Sequence, residues 1–331
     1  MQWDYAFDFG SDSVRFAKFG SKQIYSETPY AAFTRGADAP FAWGDNALGY
    51  KGREGGNITL KTCFEGGVPL DPVLTAGWIR RIISLTEKRP VKRERVLVAL
   101  SGGANAFETE ALLKEITSLA ADTCGVVDSG AASALGALED TSGSAFMLDA
   151  GGSQTTFTAV VGGRSVKTLV RKQGLRELDA EIISAVRLGE GLCISSAEAR
   201  RLKHIAYLKD SEIVTAFDCA SGFPREKQIS TRPARQAISK YIAFLAETLA
   251  FALEGLPKAL AGDVINSGVT LTGGAAGIDG IEKALCEVTE IDVKLPQNAK
   301  NAVILGLQTI LEVPEAYAHL IYDWKGADTI L

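Results

Sequence analysis

Two aspartates, each followed by a glycine-rich turn, constrain the fold of this chain more than any other feature. Asp8 lies in the segment Phe7–Ser13, and Asp149 lies in Leu148–Thr156. Each follows a short apolar run and precedes glycine, hydroxyl residues and a second β-rich run, a pattern typical of strand, tight turn and return strand. The two patterns stand about one domain length apart. We therefore expect two similar halves, each of which opens with a β-hairpin.

These turns have the composition of phosphate-binding turns. Glycine has no Cβ, so backbone N–H groups can come close to a phosphate, and a carboxylate at a strand end can hold Mg²⁺ through water. Either turn alone is more often a purely structural hairpin turn. Two such turns in equivalent places favour phosphate binding, with the turns facing each other across one nucleotide. The predicted phosphate contacts are Gly10, Ser11 and Ser13 in the first turn and Gly151, Gly152, Ser153 and Thr155 in the second. Asp8 and Asp149 are predicted to hold the metal through water.

Composition excludes several classes of protein. The 331 residues suggest about two domains, and 46% hydrophobic with 23% charged residues is typical of a soluble globular protein. A net charge of −5 gives no overall basic signal for nucleic acid. The five scattered cysteines form no CxxC, which favours reduced thiols in the cytoplasm over a disulfide framework or zinc site. No apolar run approaches the ~20 residues of a membrane span, and no signal peptide is evident.

Strand and helix patterns alternate within each half, which predicts an α/β fold of duplicated mixed sheets with helices on both faces and a cleft between the halves. The boundary is expected at Ser142-Gly143-Ser144, which gives halves 1–143 and 144–331. Each half is expected to carry a small subdomain, an irregular excursion at about 29–65 and an insertion at about 179–257. A tail follows from about 312 to 331. The basic cluster Lys88–Arg95 is interpreted as a solvated loop.

Two further features fit a nucleotide site. Gly273–Gly277 follows the apolar strand Val269–Thr272 and precedes a predicted helix, so its small side chains leave room for a base or sugar. A tight strand-to-helix connection explains the same residues. Glu108 lies in the first turn of another predicted helix, where a carboxylate either orients an attacking water or interacts with the helix dipole.

The chain resembles the ATPase fold shared by actin, heat-shock chaperones and sugar kinases, and is most similar within it to bacterial actins of the MreB and MamK type. Asp8–Ser11 resembles the first phosphate motif of that family and Asp149–Gly152 the second. Val269–Gly274 is similar to the family's adenosine motif. The similarity covers roughly residues 5–310, including the stretch from Ile229 to Gly268 that leads into that motif.

The resemblance implies roles for particular residues. Glu108 falls on the catalytic glutamate of the family, and Gly174 belongs to a Gly-x-x-x-x-Asp stretch that ends at Asp179 and adds a phosphate contact. The implied adenosine contacts are Glu198, Lys203, Gly273, Gly274 and Ala275. The implied cofactors are ATP or ADP with Mg²⁺.

The sequence also departs from the family pattern. Asp128-Ser129-Gly130 stands where relatives have Glu-Glu-Pro, and Ser129 cannot carry the charge of the second glutamate. The second phosphate turn is one residue longer, through Ser153-Gln154, and a family glutamate after Lys203 is missing near His204. The sequence therefore supports ATP binding more strongly than rapid hydrolysis.

The function implied is a cytoplasmic filament of the bacterial cytoskeleton that scaffolds or positions other structures, with slow ATP hydrolysis. The chain itself is the expected partner, and an adaptor protein linked to a membrane or organelle is left open. No amphipathic helix is evident at the start of the chain. The loop expected at Thr86–Arg95 has no exposed pair of apolar residues. Both observations argue against direct membrane binding. Two alternatives remain: a non-polymerising chaperone-like or kinase-like ATPase of the same fold, and a pseudo-enzyme partner of another bacterial actin.

Overall fold

The structure is a computed structural model that describes residues 2–65, 68–86, 94–102, 105–119 and 121–324. Its strands are β1 (Tyr5–Phe9), β2 (Val14–Lys18), β3 (Ile24–Glu27), β4 (Tyr30–Thr34), β5 (Ala42–Trp43), β6 (Ile58–Thr62), β7 (Phe64–Glu65), β8 (Val68–Pro69), β9 (Arg95–Leu100), β10 (Thr123–Asp128), β11 (Ser144–Ala150), β12 (Thr155–Val161), β13 (Arg164–Arg171), β14 (Leu192–Ile194), β15 (Ser211–Asp218), β16 (Pro224–Ser230), β17 (Val269–Thr272), β18 (Val293–Lys294) and β19 (Tyr322–Trp324). Its α-helices are α1 (Gly44–Leu48), α2 (Pro72–Thr86), α3 (Ala106–Leu119), α4 (Ser129–Ala137), α5 (Leu175–Glu190), α6 (Ser196–Ile205), α7 (Arg232–Glu254), α8 (Lys258–Ser267), α9 (Ile281–Thr289) and α10 (Ala302–Glu312). Strands and helices alternate along both halves of the chain, as the sequence predicts.

The chain divides into two compact units. Among the described residues, the first unit takes those of 1–142, 162–165 and 301–331, and the second takes 143–161 and 166–300. The first unit therefore differs from the predicted half 1–143, because it also includes helix α10 from the C-terminal part of the chain. Its apolar residues, among them Ile304 and Leu307, join a core with Ala6 and Leu97 of the first sheet.

The first unit is built on a mixed sheet with the strand order β19-β10-β9-β1-β2-β3. The first hairpin is confirmed, with β1 antiparallel to β2 and parallel to β9. Side chains alternate between the sheet faces: Tyr5 and Phe7 pack in a core with Trp78 of α2 and Leu112 of α3, while Ala6 faces the core of α10. Helices thus cover both faces, as predicted for this half.

The segment 29–65 is more regular than the sequence suggests. Its strands form a small antiparallel sheet, in the order β5-β4-β6, with helix α1 beside it. Ala31 and Phe33 of β4 are buried in the core shared with Phe64. The prediction of an irregular excursion is therefore wrong in its secondary structure, because strands of two to five residues interrupted by glycine carry too little periodic signal.

The second unit contains a second mixed sheet, ordered β13-β12-β11-β17-β18. Its hairpin is confirmed, since β11 pairs antiparallel with β12 over Ser144–Ala150, and β11 runs parallel to β17. Phe146, Leu148 and Phe157 project into a core shared with helices α5, α6, α7 and α9. The parallel pairing brings the ends of β11 and β17 to one edge, and with them the two glycine-rich turns that follow.

A small antiparallel sheet, β14-β15-β16, belongs to the predicted insertion at 179–257. Strand β16 and helix α8 are elements that the sequence reading did not find. In helix α7, Thr231 occupies the N-cap and Pro233 lies in the first turn. The hydroxyl of Ser230 accepts a hydrogen bond from the Arg232 N–H at 3.2 Å. Proline in the first turn leaves no helix hydrogen bond unmade, which explains the start at Arg232.

The predicted solvated loop at Lys88–Arg95 falls mostly outside the described residues, as does the end of the predicted tail beyond Trp324. The described part of the tail ends in β19, which pairs antiparallel with β10. In the part of the chain that the structure describes, no helix has the length and apolar character needed to cross a membrane.

Candidate functional site

The first glycine turn joins β1 to β2 and consists of residues 10–13, since Phe9 pairs with Val14 at its base. A Cβ added to Gly10 would lie 2.5 Å from the carbonyl oxygen of Ser13, so the turn closes this tightly only with glycine. Ser11 is buried and Ser13 is half-buried. The structure therefore brings all three predicted phosphate contacts of this turn together beside Asp8.

Asp8 is the charged group of the first turn. One of its carboxylate oxygens accepts a hydrogen bond from Arg15 at 3.3 Å, across the hairpin. Burial raises the pKa of Asp8 above its usual value, and the nearby Arg15 guanidinium only partly offsets that effect. A further positive charge would stabilise the ionised form of this buried carboxylate, and carboxylate oxygens are hard ligands of the kind that Mg²⁺ prefers. The first turn therefore fits the predicted water-mediated metal contact.

We predict opposite effects of Asp8→Asn on stability and on binding. A carboxyl whose pKa is raised by folding is most favourable when protonated, so its destabilising contribution grows as pH rises through the folded pKa. The neutral amide should therefore raise the melting temperature of the nucleotide-free protein at pH 7 and flatten its acidic pH dependence. It should also weaken Mg²⁺-dependent nucleotide binding by about 10- to 100-fold, the range for a group that positions a metal's water.

Thermal denaturation at several pH values and titration with a fluorescent ATP analogue would measure both effects. Asp38→Asn is the matched control, because Asp38 is an exposed loop residue. Loss of stability at neutral pH in Asp8→Asn, with unchanged binding, would contradict the assignment.

The second glycine turn is closed by the N–H of Gly151, which donates to the carbonyl of Gln154 at 2.9 Å. Helix α5 starts directly on this turn: the N–H groups of Leu175 and Arg176 donate to the carbonyls of Gly151 and Gly152, both at 2.9 Å. The longer turn is thus held by backbone bonds to α5. Thr155 is buried, and its hydroxyl donates to the carbonyl of Gln173, while Ser153 is half-buried within the turn.

Gly174 allows this close approach. A Cβ at Gly174 would lie 2.6 Å from the Gly151 carbonyl oxygen and 2.7 Å from that of Gly152. The Gly174 N–H donates to the carboxylate of Glu177 at 2.8 Å, which caps the start of α5. The structure therefore places the predicted phosphate residue Gly174 directly on the second turn.

The third glycine turn touches the second. Gly273 follows β17 with a φ of +82°, a conformation that favours glycine, and its Cβ would lie 2.5 Å from the Oδ1 of Asp149. The Thr272 hydroxyl donates to the same Asp149 oxygen at 3.3 Å. Gly273 therefore packs against Asp149, directly before the turn at Gly151–Gln154 in the second unit.

The rest of the third turn is a 3₁₀ helix, Gly274–Gly277, in which Ala275 is fully buried. Helix α9 begins only at Ile281, because Gly280 takes a left-handed conformation before it. Gly274 packs closely against Leu175 of α5, where an added Cβ would lie 2.7 Å from a side-chain carbon. The predicted contacts Gly273, Gly274 and Ala275 thus lie together.

Two neighbours of this turn were missed by the sequence reading. The ring Nδ1 of His204 lies 2.7 Å from the carbonyl oxygen of Gly277, and the side chain of Lys300 lies beside the same glycine. One signal for the His204 contact was present in the sequence, namely the departure from the family pattern near this residue, where relatives carry a glutamate. The ring connects helix α6 to the third turn.

The predicted adenosine residues of α6 have protein partners. Lys203 is 4% exposed, and its ammonium group donates to Asp179 of α5 at 2.6 Å, while Arg200 contacts the second oxygen of Asp179 at 3.3 Å. Glu198 is held by Arg201 at 2.7 Å. The adenosine contacts of Glu198 and Lys203 stay predictions, and the buried ion pair joins α5 to α6.

In the first unit, Glu108 lies in the first turn of α3, and its side chain is outside the described residues. Asp128 caps α4: one carboxylate oxygen accepts from the N–H groups of Gly130 and Ala131 and from the hydroxyl of Ser165. Ser129 is the first residue of α4. The acidic group that remains from the family's Glu-Glu-Pro segment is thus engaged in helix capping.

Comparison with known proteins identifies relatives over most of the chain. The model of the MreB/Mbl protein family matches residues 2–319. The chain is 24% identical over 319 residues to the cell shape-determining protein Mbl of Bacillus subtilis, covering 93% of this chain and 96% of the relative. It is 29% identical over 284 residues to the cell shape-determining protein MreB of Escherichia coli, covering 82% and 81%.

Solved structures show the same fold. ADP-bound MreB5 of Spiroplasma citri superposes with a TM-score of 0.89 at 23% identity, covering 95% of this chain and 98% of that one. A subunit of the MamK double helical filament gives a TM-score of 0.77 at 13% identity, covering 93% and 98%. The expected fold class, an actin-like α/β fold, is therefore confirmed.

Proposed function

Because the chain belongs to the MreB/Mbl family of bacterial actins, we propose that it binds ATP with Mg²⁺, assembles into filaments and hydrolyses ATP slowly. The observation that carries this proposal is the direct contact of Gly273 with Asp149 and Ala150. This contact brings the predicted phosphate turn and the predicted adenosine turn together within the second unit, which supports nucleotide binding there. MreB5 of Spiroplasma citri, which shares this fold, has been crystallised with ADP and with AMPPNP.

The glycine turns would hold the phosphates through backbone N–H groups. The proposed phosphate contacts are Gly10, Ser11 and Ser13 in the first turn, and Gly151, Gly152 and Gly174 at the second turn. Asp8 and Asp149 would hold Mg²⁺ through water, and the ion would supply charge neutralisation between the phosphates.

Hydrolysis would depend on Glu108, which lies in the first turn of α3, the helix that follows β9 in the chain. A carboxylate there can orient a water toward the terminal phosphate. Ser129 lacks the charge of the family's second glutamate, and Asp128 caps α4. This combination supports slow rather than rapid turnover.

We propose that the chain associates with copies of itself in the cytoplasm. The resulting filament would scaffold or position other cellular structures. Membership of a family whose named members determine cell shape supports this role. A link to a membrane or organelle would then come from an adaptor protein.

Negative-stain electron microscopy and light scattering test polymerisation directly. Purified protein with ATP and Mg²⁺ should give filaments, and protein with EDTA in place of Mg²⁺ should give few or none. Monomers alone across a range of salt concentrations, despite measured ATP binding, would favour the non-polymerising ATPase and overturn the filament proposal.

Glu108→Ala should separate assembly from hydrolysis. Removing a group that orients the attacking water typically costs about 10²- to 10⁴-fold in rate, so phosphate release should fall by at least about 100-fold while ATP affinity stays within a factor of about three. Continuous phosphate-release assays and nucleotide titration measure the two quantities. Glu110→Ala, on the same helix, is the matched control and should behave as wild type.

The capped Asp128 specifically favours one alternative, a pseudo-enzyme that binds nucleotide and assembles with another bacterial actin. Its signature would be equal and very slow phosphate release by wild type and Glu108→Ala. That outcome would contradict the catalytic role of Glu108 and leave the nucleotide site intact.

A further inference from the structure

Two exposed cysteines of the small sheet in the second unit lie within reach of each other. Cys193 is the central residue of β14, and Cys219 directly follows β15. The strands are antiparallel, Cys193 pairs with Phe217, and the Cys219 N–H donates to the Gly191 carbonyl at 2.9 Å. Their sulfur atoms are 3.1 Å apart. The ladder therefore holds both thiols on the same solvent-facing side of the sheet.

We propose that Cys193 and Cys219 form a reversible intramolecular disulfide under oxidising conditions. A disulfide bond is about 2.0 Å long, so side-chain rotation has to close only about 1 Å. The other described cysteines lack this geometry: Cys63 and Cys124 are buried, with burial raising the pKa of Cys63 to about 12. Cys286 accepts a hydrogen bond from the Val293 N–H at 3.2 Å.

The reaction requires an oxidant, and a small-molecule disulfide such as oxidised glutathione supplies it. One cysteine thiolate attacks a sulfur of oxidised glutathione, which forms a mixed disulfide and releases one glutathione thiolate. The second cysteine thiolate then attacks the protein sulfur of the mixed disulfide and releases the other. Two protein thiols are oxidised, one molecule of oxidised glutathione is reduced to two of glutathione, and excess reduced thiol reverses both steps.

The bond would close a chain loop that contains all of helix α6. Within that loop, Lys203 pairs with Asp179 of α5, and His204 contacts Gly277 in the third glycine turn. Fixing both ends of the loop restricts movement of α6 relative to that turn. Resting on the proposed function, we therefore expect slower release of bound nucleotide from the oxidised protein.

The disulfide can be tested without nucleotide. Full-length protein is equilibrated with oxidised or reduced glutathione, alkylated, digested without reduction and analysed by mass spectrometry. Wild type should yield a cross-linked peptide pair containing Cys193 and Cys219, and so should the control Cys286→Ser. Cys193→Ser and Cys219→Ser should yield only a mixed disulfide at the remaining exposed cysteine. Mixed disulfides at both positions of wild type, or bonds between chains instead, would overturn the proposal.

Closure of the loop should also stabilise the protein. Oxidation should raise the melting temperature of wild type by about 5–10 °C and leave both single serine variants unchanged. With a fluorescent ADP analogue, release from oxidised wild type should be several-fold slower than from reduced protein. An unchanged release rate after full oxidation would overturn the proposed effect on α6. Failure of the reduced protein to bind nucleotide would overturn the proposed function, and the mapped disulfide would stand independently.

Discussion

Gly306→Ala should remove about 3 kcal/mol or more from the free energy of unfolding of the first unit, above the usual range for overpacking. Helices α4 and α10 cross with their backbones in contact at this glycine. A Cβ at Gly306 would lie 1.9 Å from the carbonyl oxygen of Ala132, and one at Gly136 would lie 1.9 Å from that of Ala302. Neither carbonyl can rotate away without breaking its own helix, so the helices must separate in a core that includes Ile304 and Leu307.

Urea unfolding followed by circular dichroism measures this loss. Gly262→Ala is the matched control, since Gly262 lies within α8 and an added Cβ meets no atom within 4 Å. Alanine is the better helix former by about 0.8–1 kcal/mol, so this control should be neutral or stabilising. Gly136→Ala should resemble Gly306→Ala, and the double variant should lose less than the sum because both changes open the same contact. Equal stability of Gly306→Ala and wild type would show that the helices do not pack at this distance.

The hairpins could be predicted because their information is local. At Asp8 and Asp149, an apolar run, a glycine turn and a second apolar run follow each other within about fifteen residues, and strand periodicity of two is readable at that length. The start of α6 also follows a local rule. Its N-cap residue Ser195 accepts a hydrogen bond from the Glu198 N–H at 3.2 Å.

What the sequence could not show depends on distant partners. The pattern of α10 predicts a buried helix but not the core in which that helix packs. The need for glycine at 306 follows only from the close approach of Ala132, which is distant in the sequence. Lys203 was predicted to contact adenosine, yet its burial follows from Asp179, which lies on another helix and matched a different motif. The sequence pattern alone marks Glu108 only as an acidic residue in the first turn of a helix. Its predicted catalytic role came from the family resemblance. Residue type therefore predicts a role least well where a neighbour that is distant in the sequence determines the charge environment of the residue.

The ion pair between Asp179 and Lys203 supports the second large prediction. Both side chains are more than nine-tenths buried, and Asp179→Asn would leave the Lys203 ammonium without its carboxylate. Removing one partner of a buried pair costs about 3–5 kcal/mol, because the other charge stays desolvated. Lys203→Met should cost less, since Arg200 still contacts Asp179 at 3.3 Å. Urea unfolding of both single variants would measure these losses.

The double variant Asp179→Leu/Lys203→Met shows what the pair does for the site. Replacing both charges with apolar groups leaves neither desolvated, so stability should return to within about 1 kcal/mol of wild type. Lys240→Met is the control for the exposed pair with Glu181 and should change stability by less than about 1 kcal/mol. If the double variant folds and binds ATP normally, Lys203 acts by holding α6 against α5. If it folds but loses ATP affinity at least about tenfold, the predicted contact between Lys203 and adenosine is the better explanation. A loss of stability as large as in Asp179→Asn would contradict the ion-pair argument, because apolar replacements would then be failing for steric reasons.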